Sequence, residues 1–364
     1  MAKLISIVAV ILIGLAFIIF RPSKPENTPS PSASPSLSTE SLKPEVIAQG
    51  LKIPWEIVFL PDGNMLVTER RGVIRILGSK NDEIYPEGVE ARGEGGLLGG
   101  ALHPQFSKNN FIYLYLTTSS GSKITNQVVR YTLKDYQLSD RKVLLKDIPG
   151  AGNHDGGRVE FGPDGLLYIT TGDAEQPSNA QNTNSLAGKI LRIKDDGSIP
   201  NDNPFGNAVY SYGHRNAQGL TWDSQGRLWA TEHGRSGSAS GYDEVNLIQK
   251  GLNYGWPNIQ GDQERSGMEK PFIHSGPNET WAPGDIEYIN GQLVFTGLRG
   301  ESIYSLNPET KSLKRLFKGE FGRLRALRLG PDGKIYLTTS NQDGRGSVRA
   351  GDDKVLKLDK SLIQ

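Results

Sequence analysis

The chain has 364 residues, with 41 Lys and Arg against 40 Asp and Glu, so no field of one sign is available to attract nucleic acid or an anionic membrane surface. Cysteine is absent, which excludes disulfides, thiolate metal sites and cysteine nucleophiles. With 44 Gly, 21 Pro and few helix-periodic runs, an all-β chain rich in turns is expected.

After Lys3, Leu4 to Phe20 form an apolar run broken only by Ser6 and Gly14, just short of the about 20 residues that span a bilayer. Ile18-Ile19-Phe20-Arg21 lacks the small residues of a signal-peptide cleavage site, so residues 1–21 are expected to be a hydrophobic helix acting as an uncleaved anchor. Residues 22–43 are rich in Pro, Ser and Thr, cannot bury a core and are predicted to be a disordered linker. Together these segments predict a folded body, residues 44–364, held outside the cytoplasm in the periplasm or at the cell surface. The anchor is then the body's one link to the membrane, and cleavage would release a secreted protein.

From Lys52 onward the chain repeats itself. Phe59-Leu60-Pro61-Asp62-Gly63, Phe161-Gly162-Pro163-Asp164-Gly165 and Leu329-Gly330-Pro331-Asp332-Gly333 each precede a short apolar strand ending in Thr, and Trp222 to Thr231 is a looser copy. Pro-Asp-Gly supplies a fixed φ, an Asx-type side chain and tolerance of positive φ, the needs of a tight turn between antiparallel strands. Leu97 to Thr117 and Asp285 to Phe295 have the same strand, turn, strand layout, and a further strand closes every unit, such as Val73 to Ile76 or Ile190 to Ile193. Six units of roughly 50 residues, each with room for four strands, predict a six-bladed β-propeller of four-stranded antiparallel blades. A β-sandwich is the alternative, but it leaves the regular recurrence unexplained.

In an antiparallel blade, the residues before the first strand and after the second come to one end, near the axis. Applied to each unit, this filter gathers Arg215, Arg299 and Arg323, with Arg325 nearby, together with Glu94, His154, Asp173 and Trp281 around one mouth. His154, with Asp173 returning to the same end of its hairpin, is a candidate base with an orienting carboxylate. The cations suit a ligand carrying several carboxylates. The pattern alone is equally compatible with catalysis and with plain binding. Asp195 to Asn203 lacks the terminal Glu of a calcium loop and reads as a turn. The five histidines show no zinc-type spacing, and His103 and His274 read as structural or exposed.

Several strings are more specific: Gly93-Glu94-Gly95-Gly96-Leu97-Leu98-Gly99, the unit from His154 to Asp173, Tyr212-Gly213-His214-Arg215-Asn216-Ala217-Gln218-Gly219, Glu232-His233-Gly234, Asp243-Glu244-Val245-Asn246-Leu247 with Asn253-Tyr254-Gly255-Trp256-Pro257, and Gly322-Arg323-Leu324-Arg325. In these the chain resembles the soluble pyrroloquinoline quinone (PQQ)-dependent sugar dehydrogenases of the glucose/sorbosone dehydrogenase family, over about Lys52 to Asp359. The resemblance implies an oxidoreductase that converts the anomeric C1 hydroxyl of an aldose to the lactone, with PQQ and Ca2+ as cofactors and an external electron acceptor, a cytochrome or a quinone. It assigns His154 as the base, Asp173 as its orienter, and Arg215, Asn216, Arg299, Arg323, Arg325 and His233 to the cofactor, with Glu94 and Trp281 on the substrate side. Calcium would be held by carbonyls of Gly234 and Arg235, and a second, structural calcium by Glu244 and the Tyr254 carbonyl. His233 stands where relatives often have Gln, and Arg235 where many have Pro. The body has few long insertions, which implies an open, permissive sugar pocket. A non-catalytic binding module of the same family and a propeller lactonase are the competing readings; retention of both base and arginines favours the dehydrogenase, since a binding module needs no base.

Overall fold

The computed structural model describes residues 43–237 and 240–363. The expected hydrophobic helix and nearly all of the linker lie outside the described residues, among which no helix is long and apolar enough to cross a membrane. The described chain is all-β, six sheets of four antiparallel strands, as the repeat predicts. The six inner strands are Pro54–Phe59, Leu97–Leu102, Val159–Phe161, Ala217–Trp222, Pro283–Ile289 and Leu324–Leu329, and they define blades one to six. In the sixth blade the outermost strand is Glu45–Gln49, paired with Lys354–Leu358, so the start of the body closes the ring against its end. That strand precedes the first repeat, which is why the repeat pattern did not reveal it.

Local chemistry explains the turns between first and second strands. Asp62, Asp164 and Asp332 each accept a hydrogen bond through Oδ1 from the main-chain N–H two residues on, at 2.9, 3.1 and 3.1 Å. Gly63, Gly165 and Gly333 follow at φ +87°, +75° and +71°, in the left-handed region that a side chain would penalise. Core packing lies between blades: Tyr113 and Tyr115 of blade two are buried with Val159, Ile169 and Leu191 of blade three.

In five of the six blades the pairing of the inner strand slips at its mouth end, a bulge that re-aims one or two side chains toward the axis. Trp55, Gln218 and Arg325 sit in such bulges. Blade three has none; its inner strand is short and is preceded by His154, Gly156 and Gly157, all at positive φ.

The alternation Arg158, Val159, Glu160, Phe161 predicts a half-buried strand with a polar side. That side faces the axis instead of water. Arg158, completely buried, pairs with Glu56 and lies 3.2 Å from Asp285, while its Nε and Nη2 donate to the carbonyls of Gln218 and Gly284. Arg328 pairs with Glu56, Asp285, Glu160 and Glu287. Carboxylates outnumber guanidiniums there, and burial raises Asp285, Glu160 and Glu287 above the usual carboxylate range. Replacing Arg158 by Met leaves Arg328 alone to serve Glu56 and Asp285 among the described residues. It should destabilise the protein by about 3–5 kcal/mol, read by chemical denaturation, because a buried ion pair broken from one side leaves negative charge only partly compensated in the interior.

Candidate active site

The mouth holds a cavity of about 600 Å³ whose wall includes Glu94, His154, Arg215, Arg299, Arg323 and Arg325. His154 sits at φ +65°, its N–H donating to Glu94 Oε2 at 2.9 Å. This bend brings its ring back over the hairpin, where Nδ1 lies 2.8 Å from Asp173 Oδ1. Asp173 is fully buried and also accepts from the N–H of Glu175 at 2.9 Å and from Trp256 Nε1 at 2.8 Å. Since a carboxylate can only accept, Nδ1 carries the hydrogen, and Nε2 is the ring atom left to take up a proton. Gly172 makes the approach possible: a Cβ there would lie 1.9 Å from the carbonyl oxygen of His154.

Glu94 is bound from two sides, by the His154 N–H and by an ion pair with Arg345. Burial alone would raise its pKa, yet Arg345, that N–H and His233 carry it down to about 2. Arg345 also donates to Asn153 Oδ1 at 2.7 Å, and Asn153 to Glu175 Oε1 at 2.6 Å.

The guanidiniums fall into two groups. Arg323 is neutralised by Asp343, with Nε and Nη2 at 2.9 and 2.7 Å from Oδ2. Among the described residues, Arg215, Arg299 and Arg325 form no ion pair with a carboxylate: they donate to Ser236 Oγ, Ser240 Oγ and Gln218 Oε1 at 2.8, 2.9 and 3.0 Å. Burial pushes Arg325 down to about 9, still protonated at neutral pH, and its Nε has no acceptor. Asn216 accepts from the Gly156 N–H at 3.0 Å, while its buried Nδ2 is unpaired. His233 lies within hydrogen-bonding distance of the Pro283 carbonyl at 3.0 Å, and burial lowers it to about 4, so it is neutral near pH 7.

Gly234 and Arg235 line the same cavity. The Gly234 N–H donates to Asp243 Oδ1 at 2.8 Å, and Asp243 Oδ2 collects the N–H groups of Trp281 and Ala282 at 2.6 and 2.9 Å. Trp281 is not part of the wall. Its ring is buried between Phe295 and Tyr304, centroids 5.4 and 5.6 Å away. Its main chain reaches the mouth, but the side chain turns into the apolar interior of blade five, where an indole buries most surface. Glu244 and Tyr254 line a separate small void beside Glu232. There burial first, and then Glu232, raise Glu244 well above the carboxylate range, and Asn246 Oδ1 has no donor.

Sequence reasoning did not single out Gln218, Arg345, Asp343 or Trp256 as site residues. Gln218 and Trp256 lay inside strings quoted for other residues; Asp343 and Arg345 sit just past the end of the last unit's second strand, where the mouth filter stopped at Asn341.

The described residues thus form a six-bladed propeller with a His and Asp pair facing an arginine-lined cavity at its mouth. The family model for glucose / sorbosone dehydrogenase matches residues 51–349, and the chain belongs to that family. It is 32% identical to the aldose sugar dehydrogenase YliI of Escherichia coli over 82% of this chain and 90% of that one. The quinoprotein glucose dehydrogenase B of Acinetobacter calcoaceticus is 34% identical over 69% of this chain and 60% of its own length. Among solved structures, the PQQ-bound form of aldose sugar dehydrogenase from Streptomyces coelicolor superposes with a TM-score of 0.80 and 38% identity, covering 87% of this chain and 98% of that one.

The close approach at Gly172 gives a test of the local geometry. Gly172→Ala should cost about 1–3 kcal/mol in chemical denaturation, since the added methyl has no room. Gly152→Ala, with nothing within 4 Å, is the matched control and should be near neutral.

Proposed function

We propose that this protein is a PQQ-dependent aldose dehydrogenase that oxidises the anomeric hydroxyl to the lactone, with Ca2+ as Lewis acid. The observation that carries the reading is the His154 and Asp173 pair in one cavity with three guanidiniums that, among the described residues, form no ion pair with a carboxylate. The names of the relatives from Escherichia coli and Streptomyces coelicolor support it.

The residues present fit the cofactor. PQQ is a planar tricarboxylate, and Arg215, Arg299 and Arg325, with the unpaired Arg325 Nε and Asn216 Nδ2, suit such a guest. Arg323 would join them in exchange for Asp343. When bound, PQQ supplies the carbonyl that accepts the C1 hydride, polarised by Ca2+. His154 takes the hydroxyl proton at Nε2, because Nδ1 is committed to Asp173, whose buried carboxylate then steadies the imidazolium. Glu94, held ionised next to His154, is on the sugar side.

For calcium, Gly234 and Arg235 lie in the cavity wall and their main-chain carbonyls would be the ligands, that of Arg235 also accepting from the Gly241 N–H at 3.2 Å. A second, structural calcium between Glu244 and the Tyr254 carbonyl would relieve the burial of Glu244 beside Glu232. We extend the proposal to a body tethered outside the cytoplasm through residues 1–21 that passes electrons to a cytochrome or quinone. With few insertions over the mouth, it would accept several aldoses.

Purified protein supplied with PQQ and Ca2+ should reduce an artificial dye with several aldoses; failure to bind PQQ would overturn the reading. His154→Ala should lower kcat about 10²- to 10⁴-fold, the usual worth of a general base, with PQQ still bound. Arg323→Ala and Arg325→Ala should instead weaken PQQ binding, measured by titration of its absorbance.

A further inference from the structure

Asp173 has two carboxylate oxygens and no water-exposed surface, so its orientation is set entirely by its donors. Oδ1 is shared by His154 Nδ1 and the Glu175 N–H. At Oδ2 the donor is the indole N–H of Trp256, at 2.8 Å. Trp256 reaches the site from the loop between the third and fourth strands of blade four, Glu244–Ile248 and Ile273–His274, whereas His154 and Asp173 belong to blade three. The Arg215 guanidinium carbon stands 5.4 Å from the centroid of the indole ring, within cation-π range.

The indole is held from behind. Its main-chain N–H donates to the Gly213 carbonyl at 2.9 Å, and its carbonyl accepts from Gln181 Nε2 at 2.6 Å. Gln181 and Asn253 also exchange amide hydrogen bonds at 3.0 and 2.8 Å. The segment carrying Gln181 is pinned by the buried ammonium of Lys189, which donates to the carbonyls of Asn179, Ala180 and Ala187 at 2.8, 3.0 and 2.5 Å.

We propose that Trp256 is a positioning residue: its indole N–H locks the Asp173 carboxylate, and through it the Nδ1–H tautomer and ring orientation of His154. The kinetic part of this assignment rests on His154 being the base of the proposed oxidation; the tautomer part does not. Without the indole donor, Oδ2 is buried and unpaired, the carboxylate is free to turn, and His154 loses the acceptor that selects Nδ1–H.

The test uses the full chain with Trp256→Phe, and with Trp256 replaced by β-(3-benzothienyl)alanine, which keeps the ring shape and removes only the N–H. In cofactor-free protein, nitrogen-15 NMR of the imidazoles, with His154 assigned through His154→Gln, should show the Nδ1–H form in the native chain and a shift toward Nε2–H in both variants. With PQQ and Ca2+ present, kcat should fall about 10- to 100-fold while PQQ affinity and sugar KM stay within about threefold. An unchanged His154 tautomer in the benzothienyl variant overturns the proposal, and so does a fall in kcat that merely tracks loss of PQQ. If the native protein oxidises no aldose, the proposed reaction fails, but the imidazole spectra still decide the role of Trp256.

Discussion

The Arg158 guanidinium is the contact on which the geometry of the mouth depends. From blade three it reaches Glu56 in blade one, the Gln218 carbonyl in blade four, and the Gly284 carbonyl and Asp285 in blade five. Its carbon also lies 4.5 Å from the centroid of the Trp55 ring. A lysine could carry the charge but not this fan of fixed donors. Arg158 lies four residues after His154, so the group that holds the blades together at the axis also fixes where the candidate base emerges.

Above this plug, charge is distributed unevenly. Arg323 and Arg345 each have a carboxylate partner, whereas Arg215, Arg299 and Arg325 share hydroxyls and an amide. Burying a guanidinium without an anion costs free energy, and the shifts imposed by burial on Arg215 and Arg325 express that cost. Arg158 and Arg328, by contrast, each face carboxylates. Arg215, Arg299 and Arg325 lie in one cavity wall with His154, and that placement is what the proposed anionic guest rests on.

The blades were legible because their turns need Pro, Asp and Gly at fixed offsets, and the candidate base and its carboxylate because a hairpin returns residue 173 to residue 154. Side-chain direction was less so. Period-2 alternation tells that Arg158 and Val159 face opposite ways but not which way is water, and in a propeller both ways are inside. The same ambiguity hid the inward turn of the Trp281 ring, whose neighbours Thr280 and Ala282 do line the mouth. Trp256 and Asp173 lie 83 positions apart, and the ring-closing strand Glu45–Gln49 pairs with the far end of the chain. Contacts of that range leave no local pattern to read.

A propeller repeats one scaffold six times, yet an active site needs unlike groups at like places. The bulges resolve this conflict: a slip in pairing presents Gln218 to the cavity in one blade and Arg325 in another, with Trp55 of a third bulge buried beneath Arg325. Blade three departs from the device. Instead of a bulge within the strand, it spends three positive-φ residues before it, His154, Gly156 and Gly157, which lift the imidazole off the ladder and over Asp173. A non-glycine residue in the left-handed region costs of order 1 kcal/mol or more. The only non-glycine residue of the three is the one in contact with Asp173, so the strain falls on the candidate base itself and is held there by the Glu94, Asp173 and Ala174 hydrogen bonds around it.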